Sequence, residues 1–258
     1  MRYTIKITII VHYIRMVVSI FLVCYNEQYL LPHTVAHYRR YIPNCNITVY
    51  DNYSTDNSVE IAKSLGCTVV PWNTNNITDE HKLRDLKNSC WKSVPSGWII
   101  MADMDEWLCI TKEDLQKELD KGTTVITVKG YNMIGESQKE DISDIDLHSI
   151  IKGVRNTNED KKLCFLREKI VDINYNCGAH NSNPAGEVRY SKTVYTNKHM
   201  CCPGLQFLIE RMIARYNRSI EMRKIHMDTH YTDNVTKITA DYNKSLSISR
   251  EVPTHPSS

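Results

Sequence analysis

The sequence predicts an α/β fold in which a mainly parallel central sheet is flanked by helices. The first observation is that segments of strand and helix character alternate along the first half of the chain, as in βαβ units. The second is the run Trp98–Ala102, which is apolar without alternation and is therefore typical of a strand buried on both faces. The third is that polar residues follow each predicted strand, at the edge where open α/β sheets bind ligands.

The elements of the first half follow one another in a regular order. Residues 17–23 are β-branched and apolar and predict the first strand, whereas residues 28–41 carry apolar positions at helical spacing. Polar turns with capping residues separate the segments that follow. Further strands are predicted at 47–50, 67–72 and 98–102, and further helices at 57–65, 79–93 and 111–120.

The second half of the chain has a different pattern, which predicts a mixed arrangement of strands. Residues 136–160 are polar with little periodicity and are predicted to form a mobile loop. The segment beyond residue 232 lacks a pattern and is predicted to be disordered or only docked. Strands are predicted at 123–128 with a continuation through 130–135, and at 163–167, 171–175 and 193–196, and an amphipathic helix is predicted at 204–223.

Composition narrows the class of protein. The chain has 258 residues, 41% of them hydrophobic, which fits one domain. Its net charge is only +2 and its basic residues are spread along the chain, which argues against nucleic-acid binding. Nine cysteines without a Cys-x-x-Cys pair predict a reducing, cytoplasmic compartment, which for a viral protein is that of the host cell. Charged residues interrupt the apolar residues 5–23, so we expect no transmembrane span and interpret residues 1–15 as a leader or an extra strand.

Three carboxylates stand directly after the buried strand at 98–102, namely Asp103, Asp105 and Glu106. Like charges this close raise one another's pKa unless a cation neutralises them. Because Mn²⁺ and Mg²⁺ prefer such oxygen ligands, Asp103 and Asp105 are predicted to bind one of these metals, with Glu106 as a support. A metal at this edge of a sheet usually serves a phosphate group.

Four blocks within residues 17–120 resemble family-2 glycosyltransferases, in the branch of small viral and bacterial members. The blocks are Val23–Glu27, Asp51–Asp56, Arg84–Asn88 and Ala102–Glu106. The resemblance implies the GT-A fold, with a Rossmann-like sheet and a mixed acceptor-side part. It also implies an inverting, metal-dependent transfer of a sugar from a nucleoside diphosphate sugar, expected to be a UDP-sugar, to a hydroxyl of a glycan or glycoconjugate.

The same resemblance divides one domain by function. Residues 16–122 would bind the nucleotide sugar, residues 123–231 would bind the acceptor, and residues 232–258 would form a tail. Asp105 would hold the metal against both phosphates, which neutralises the leaving group. The implied donor contacts are Tyr25, Asn26, Glu27, Asp51, Asn52, Arg84, Lys87 and Asp103.

The remaining chemistry has candidates without a decision between them. His180 lies in a loop with no apolar periodicity, and we interpret it as a further metal ligand or as a contact to a donor phosphate or the acceptor. Inversion also requires a general base that takes a proton from the acceptor hydroxyl. The candidates for this base are Glu136, Asp172 and Glu187.

Two other classes of protein fit part of the pattern. An Asp-x-Asp phosphatase or phosphomutase also places its doublet after a strand of an α/β fold, but usually after the first core strand, whereas the doublet here follows the fourth. A non-catalytic module that binds sugar nucleotides or glycans could keep the fold. The intact pair Asp103 and Asp105 argues against that second class.

Overall fold

The computed structural model describes residues 16–254, and at its centre is a ten-stranded sheet. Parallel strands build the first half of this sheet. Their bounds are β1 Val18–Cys24, β2 Asn46–Asp51, β3 Thr68–Pro71 and β4 Trp98–Asp103. The central strand β1 lies between β2 and β4, and β3 follows β2 at the edge. The predicted parallel arrangement of these four strands is confirmed.

The register of the parallel strands brings their carboxyl ends to one place. Cys24 at the end of β1 lies opposite Asp51 of β2, and Val23 lies opposite Asp103 of β4. The side chains that follow β1, β2 and β4 therefore meet at one edge of the sheet. The apolar residues of β1 and β4 are buried, as expected for strands covered on both faces.

Three helices connect the parallel strands and a fourth follows them along the chain, all of them close to the predicted positions. Their bounds are α1 Leu31–Tyr41, α2 Ser58–Ser64, α3 Glu80–Ser89 and α4 Lys112–Asp120, and a short 3-10 helix at Cys90–Ser93 extends α3. Asp79 caps α3 by accepting a hydrogen bond from the Lys82 amide. Thr111 and Asp114 form a capping box at the start of α4.

The second half of the chain extends the same sheet with mostly antiparallel strands. Their bounds are β5 Glu106–Cys109, β6 Val125–Ser137, β7 Lys152–Arg155, β8 Cys164–Leu166, β9 Ile170–Asp172, β10 Ala185–Gly186, β11 Tyr190–Gly204 and β12 Arg250–Glu251. The main path of the sheet is β12-β7-β6-β8-β4-β1-β2-β3. Strand β11 pairs with β5 and, in parallel, with β6, whereas β9 and β10 form a separate pair. The predicted mixed C-terminal part is thus confirmed.

The second half also contains three α-helices, α5 Leu205–Arg218, α6 Ile220–Lys224 and α7 Val235–Ile248. Short 3-10 helices precede them at Leu147–Ser149, Thr157–Glu159 and Cys177–Ala179. The predicted helix at 204–223 is therefore two helices that meet at Ser219. Within residues 16–254, none of the helices combines the length and the apolar character needed to cross a bilayer.

Two predictions about the second half need correction. The segment 136–160, predicted to be a loop, contains the end of β6 and strand β7, and its scattered apolar residues Ile142 and Leu147 are buried. Because these buried apolar residues are separated by several residues in the sequence, they produce neither a helical nor a strand periodicity. The tail predicted after residue 232 contains α7, which packs against α5. Residues 1–15, predicted to be a leader or an extra strand, lie outside the described residues.

Candidate active site

A pocket of about 520 Å³ opens where the parallel strands end. The loops after β1 and β4 form its floor, and residues of α3, β11 and α5 form its walls. Charged side chains of both signs line this pocket, so it is suited to a polar, charged ligand.

Asp105 lies at the base of the pocket, and its side chain is 2% exposed. Its Oδ2 atom lies 2.9 Å from Nη2 of Arg211, 3.3 Å from Nε2 of His199 and 3.5 Å from Nη2 of Arg215. Burial raises the pKa of Asp105, but Arg211, His199 and Arg215 outweigh burial and hold this pKa well below its ordinary value. Asp105 is therefore ionised and surrounded by cationic groups.

Asp103 faces a different set of cations. Its carboxylate lies 2.6 Å from Nζ of Lys87 and 3.4 Å from Nζ of Lys161, and both lysines are buried. Burial raises the pKa of Asp103, but the two ammonium groups lower it below its ordinary value. The two aspartates of the doublet are thus neutralised by different cationic side chains.

Glu106 and Glu159 complete the buried charge network around Lys161. The Lys161 Nζ atom lies 2.6 Å from Glu106 and 3.4 Å from Glu159. Burial raises the pKa of Glu106 to about 7 against the opposing effect of Lys161. Glu106 also accepts a hydrogen bond of 2.7 Å from the Asp103 amide, which holds the turn after β4.

His199 is oriented toward Asp105 by its second ring nitrogen. Nδ1 donates a hydrogen bond of 2.9 Å to Oδ1 of Asn132 and lies 3.6 Å from Glu159, and Nε2 faces the Asp105 carboxylate, which also accepts. This arrangement presents Nε2 to Asp105, and it is the one by which proteins orient a histidine that binds a metal.

The loops after β1 and β2 form the other end of the pocket. Tyr25 donates a hydrogen bond of 2.6 Å to Asn76, and the guanidinium of Arg218 lies 3.3 Å from the centre of the Tyr25 ring. The backbone N–H of Asn26 donates a hydrogen bond to the Ser54 hydroxyl, which connects the loops after β1 and β2. The side chain of Asn52 forms two hydrogen bonds with Thr74, in the loop after β3.

Buried polar atoms near these loops lack hydrogen-bond partners within residues 16–254. They are Oδ1 of Asp51, Nε1 of Trp72 and Oγ1 of Thr78. Trp72 and Thr78 line the pocket, and Asp51 lies directly before the pocket residue Asn52. A ligand with its own donors and acceptors would satisfy such atoms.

Most of the predicted site residues come together. Those that line the pocket are Tyr25, Asn26, Glu27, Asn52, Lys87, Asp103, Asp105 and His180. His180 is exposed, and its Nδ1 atom lies 2.9 Å from the carbonyl oxygen of Asn158. Across the described part of the chain, no three His, Cys, Asp or Glu side chains are grouped so that they could hold a metal ion.

Five predicted residues lie outside the pocket lining. Asp51 is buried directly before Asn52, and the other four form ion pairs at the protein surface. Arg84 pairs with its neighbour Asp85, Glu136 lies 3.9 Å from Lys152, and Glu187 lies 2.8 Å from Lys169. Asp172 pairs with Lys92. The structure therefore separates the three predicted base candidates, and Arg84, from the charged groups at the strand ends.

The second half also contributes pocket residues that the sequence does not mark as site candidates. Among them are Glu159, Lys161, His199, Arg211, Arg215 and Asp228. A signal was present in α5, where Arg211, Arg215 and Arg218 recur at three- and four-residue spacing and therefore share one helix face. His199 has no such signal, because it lies in a strand with polar residues on both faces.

Comparisons with known proteins identify the family of this chain. The sequence model described as Glycosyl transferase family 2 matches residues 19–216. Protein RfbJ of Shigella flexneri is 35% identical over 52 residues, which cover 20% of this chain and 40% of RfbJ.

Solved structures of two other proteins are similar at low sequence identity. TarS of S. aureus is 18% identical, with 91% of this chain and 44% of TarS covered and a TM-score of 0.45. Glucosyl-3-phosphoglycerate synthase from Mycobacterium tuberculosis, solved with Mn²⁺, UDP and glucosyl-3-phosphoglycerate, is 17% identical, with 45% and 44% covered and a TM-score of 0.32. This chain thus matches less than half of RfbJ, TarS and this synthase. Since the family match covers most of its own length, the chain belongs to glycosyl transferase family 2.

Proposed function

We propose that this protein transfers a sugar from a nucleoside diphosphate sugar to a hydroxyl group of a glycan or glycoconjugate, with inversion and with the help of a divalent metal. The observation that supports this proposal is the position of Asp103, Asp105 and the arginines of α5 in one pocket at the strand ends. A diphosphate needs cations around it, and a sugar needs carboxylate and amide oxygens that accept hydrogen bonds from its hydroxyl groups.

The loop end of the pocket is the proposed nucleoside site, and UDP is the expected nucleotide. Tyr25 offers an aromatic ring, and Asp51 offers a buried oxygen without a protein partner in the described chain. The imide N–H of uracil would give Asp51 a charge-assisted hydrogen bond. Asn52 would act by holding the loop through Thr74, because its side-chain amide is already paired there.

Asp105 and His199 fit a divalent metal better than the predicted set of Asp103, Asp105 and His180. Their Oδ2 and Nε2 atoms lie 3.3 Å apart, and the Nδ1 atom of His199 is engaged by Asn132 as expected of a ligand histidine. Mg²⁺ and Mn²⁺ bind through few protein groups when substrate phosphates supply the other oxygens. Bound there, the metal would neutralise charge on the leaving diphosphate.

Asp228 is the residue that we propose as the general base. It lines the pocket, and its Oδ2 atom is buried without a hydrogen-bond partner in the described chain. Burial and the nearby Glu80 raise the pKa of Asp228 to about 6, against the effect of Arg215. A carboxylate with this pKa is suited to accept a proton near neutral pH.

A thermal-shift comparison tests the donor and the metal together. We expect UDP with Mn²⁺ to raise the melting temperature more than UDP alone, and more than GDP, CDP or dTDP with Mn²⁺, because ligand at 100 times its Kd stabilises by about 2.7 kcal/mol. Asp105→Asn should abolish the dependence on Mn²⁺, whereas Asp120→Asn, at the exposed end of α4, should retain it. If no nucleotide stabilises the protein in a metal-dependent way, the proposal is wrong.

A further inference from the structure

Arg211 connects two carboxylates of the pocket. Its Nη2 atom lies 2.6 Å from Glu27 and 2.9 Å from Asp105, and its side chain is only 10% exposed. It comes from α5, in the second half of the chain, whereas both carboxylates follow strands of the first half. Arg211 therefore neutralises the proposed metal ligand from the opposite wall of the pocket.

The rest of the Arg211 guanidinium is buried without a partner. Nε and Nη1 find no acceptor within residues 16–254, although these two atoms carry three of the five N–H donors of the group. Buried donors without acceptors are costly, so this side chain is suited to a ligand with several oxygen atoms. Arg211 lines the pocket, so its guanidinium lies beside the space that such a ligand would occupy.

Arg215 adds a second positive charge at the same point. It lies one turn further along α5, and its Nη2 atom is 3.5 Å from the same Oδ2 atom of Asp105. A divalent cation at Asp105 would therefore meet two guanidinium groups at close range, and this repulsion opposes metal binding. A diphosphate removes the conflict, because its oxygens can accept from the arginines while Asp105 accepts the metal.

We propose that Arg211, assisted by Arg215, stays paired with the Asp105 carboxylate until a nucleoside diphosphate binds, so that Asp105 can bind the metal only together with the diphosphate. When the diphosphate binds, Arg211 exchanges Asp105 for phosphate oxygens, which also satisfy its unpaired donors. This inference rests on the proposed function, since it takes Asp105 as a metal ligand and a nucleoside diphosphate as the donor. It adds that the two ligands bind with strong positive coupling and that Arg211 is the source of this coupling.

The experiment measures Mn²⁺ binding by the electron paramagnetic resonance signal of free Mn²⁺, with no nucleotide, with UMP and with UDP. In the unaltered protein, UDP should tighten Mn²⁺ binding on the order of tenfold or more, and UMP should not, because it lacks the second phosphate. Arg211→Gln should bind Mn²⁺ alone about tenfold more tightly than the unaltered protein, since Asp105 is released, and should gain little from UDP.

Two further variants separate this effect from damage to the fold. Arg211→Lys keeps the charge near Asp105, so its binding of Mn²⁺ alone should stay weak. Arg40→Gln removes a guanidinium from the exposed end of α1 and should behave like the unaltered protein. Circular dichroism melting confirms that each variant is folded before it is titrated.

The possible results distinguish this inference from the proposed function. If the unaltered protein binds Mn²⁺ neither alone nor with UDP, the proposed metal dependence is wrong and the inference fails with it. If UDP tightens Mn²⁺ binding in the unaltered protein and to the same extent in Arg211→Gln, the proposed function stands and the role of Arg211 is refuted. Equally tight Mn²⁺ binding with and without UDP in the unaltered protein also refutes it.

Discussion

At the residue scale, the pocket separates two carboxylates that lie only two positions apart in the sequence. Asp103 is held by the buried lysines Lys87 and Lys161, whereas Asp105 contacts Arg211, Arg215 and His199. The lysine ammonium is a compact point charge, whereas the arginine guanidinium presents five donors in a planar fork that matches a phosphate group. Asp103 is therefore restrained in place, while the partners of Asp105 are the ones that a phosphate can attract.

Replacement of Asp228 by Asn tests the proposed base. The amide cannot accept the acceptor's proton, so we expect kcat to fall by about 10²- to 10⁴-fold, the usual contribution of a general base. The affinity for UDP with Mn²⁺ should change little, because Asp228 is not among the groups assigned to nucleotide or metal. Asp233→Asn, an exposed neighbour on the same segment, serves as the control. A parallel loss of UDP affinity and kcat would assign Asp228 to donor binding instead.

At the element scale, the sequence predicts the strands whose ends form the floor of the pocket, because their burial on both faces leaves an unbroken apolar run. Of β11 it predicts only residues 193–196, because Asn197 and Lys198 are buried polar residues and no apolar pattern marks the part of the strand that carries His199. Helix α5 is predictable from its apolar positions. The position of its basic face in the pocket is not predictable, because charged residues at helical spacing usually indicate a surface exposed to solvent.

The contact between α1 and β5 should make the stability of the protein depend on pH through His37. This side chain is fully buried, lies 3.1 Å from the Leu108 carbonyl oxygen and stacks on Trp107 and His148. Burial lowers the pKa of His37 to about 3, with an opposing effect of its hydrogen bond to Leu108.

The unfolded chain takes up a proton at His37 near its ordinary pKa of about 6.5, whereas the folded protein does not until about pH 3. The stabilisation by neutral His37 is thus complete above pH 6.5 and declines as the pH falls toward 3. Urea unfolding at pH 7 and pH 4.5 should show that the unaltered protein loses about 2 to 3 kcal/mol more than His37→Gln. The exposed residue His226 provides the control, as His226→Gln. An equal loss in His37→Gln would contradict the assignment.

At the scale of the whole molecule, the two predicted halves contribute to one sheet and one pocket. Strand β8 pairs with β4, and β11 pairs with β5, so strands of the second half lie directly beside the first. The pocket takes Glu27, Asp103 and Asp105 from the strand ends of the first half and its arginines from α5. Sequence patterns report neighbours along the chain, so this long-range pairing could not be derived from the four family blocks alone.

Helix α7 packs against α5, although none of its residues line the pocket. Tyr242 donates a hydrogen bond of 3.0 Å to the Gly135 carbonyl oxygen and packs in a cluster with Ile134, Cys202 and Leu205, the first residue of α5. Tyr242→Ala should therefore cost about 3 to 5 kcal/mol of unfolding free energy, as for other buried aromatic residues. Because α5 carries Arg211 and Arg215, the variant should also bind UDP with Mn²⁺ more weakly, when measured by calorimetry well below its melting temperature.

A matched control lies on the same helix. Val235 is 46% exposed at the start of α7, so Val235→Ala should change neither unfolding nor UDP affinity appreciably. Tyr242→Phe keeps the ring and removes only the hydroxyl, so it should lose about 1 kcal/mol and retain UDP binding. If Tyr242→Ala lowers stability while its UDP affinity stays that of the unaltered protein, then α7 supports the sheet alone, and the position of α5 does not depend on it.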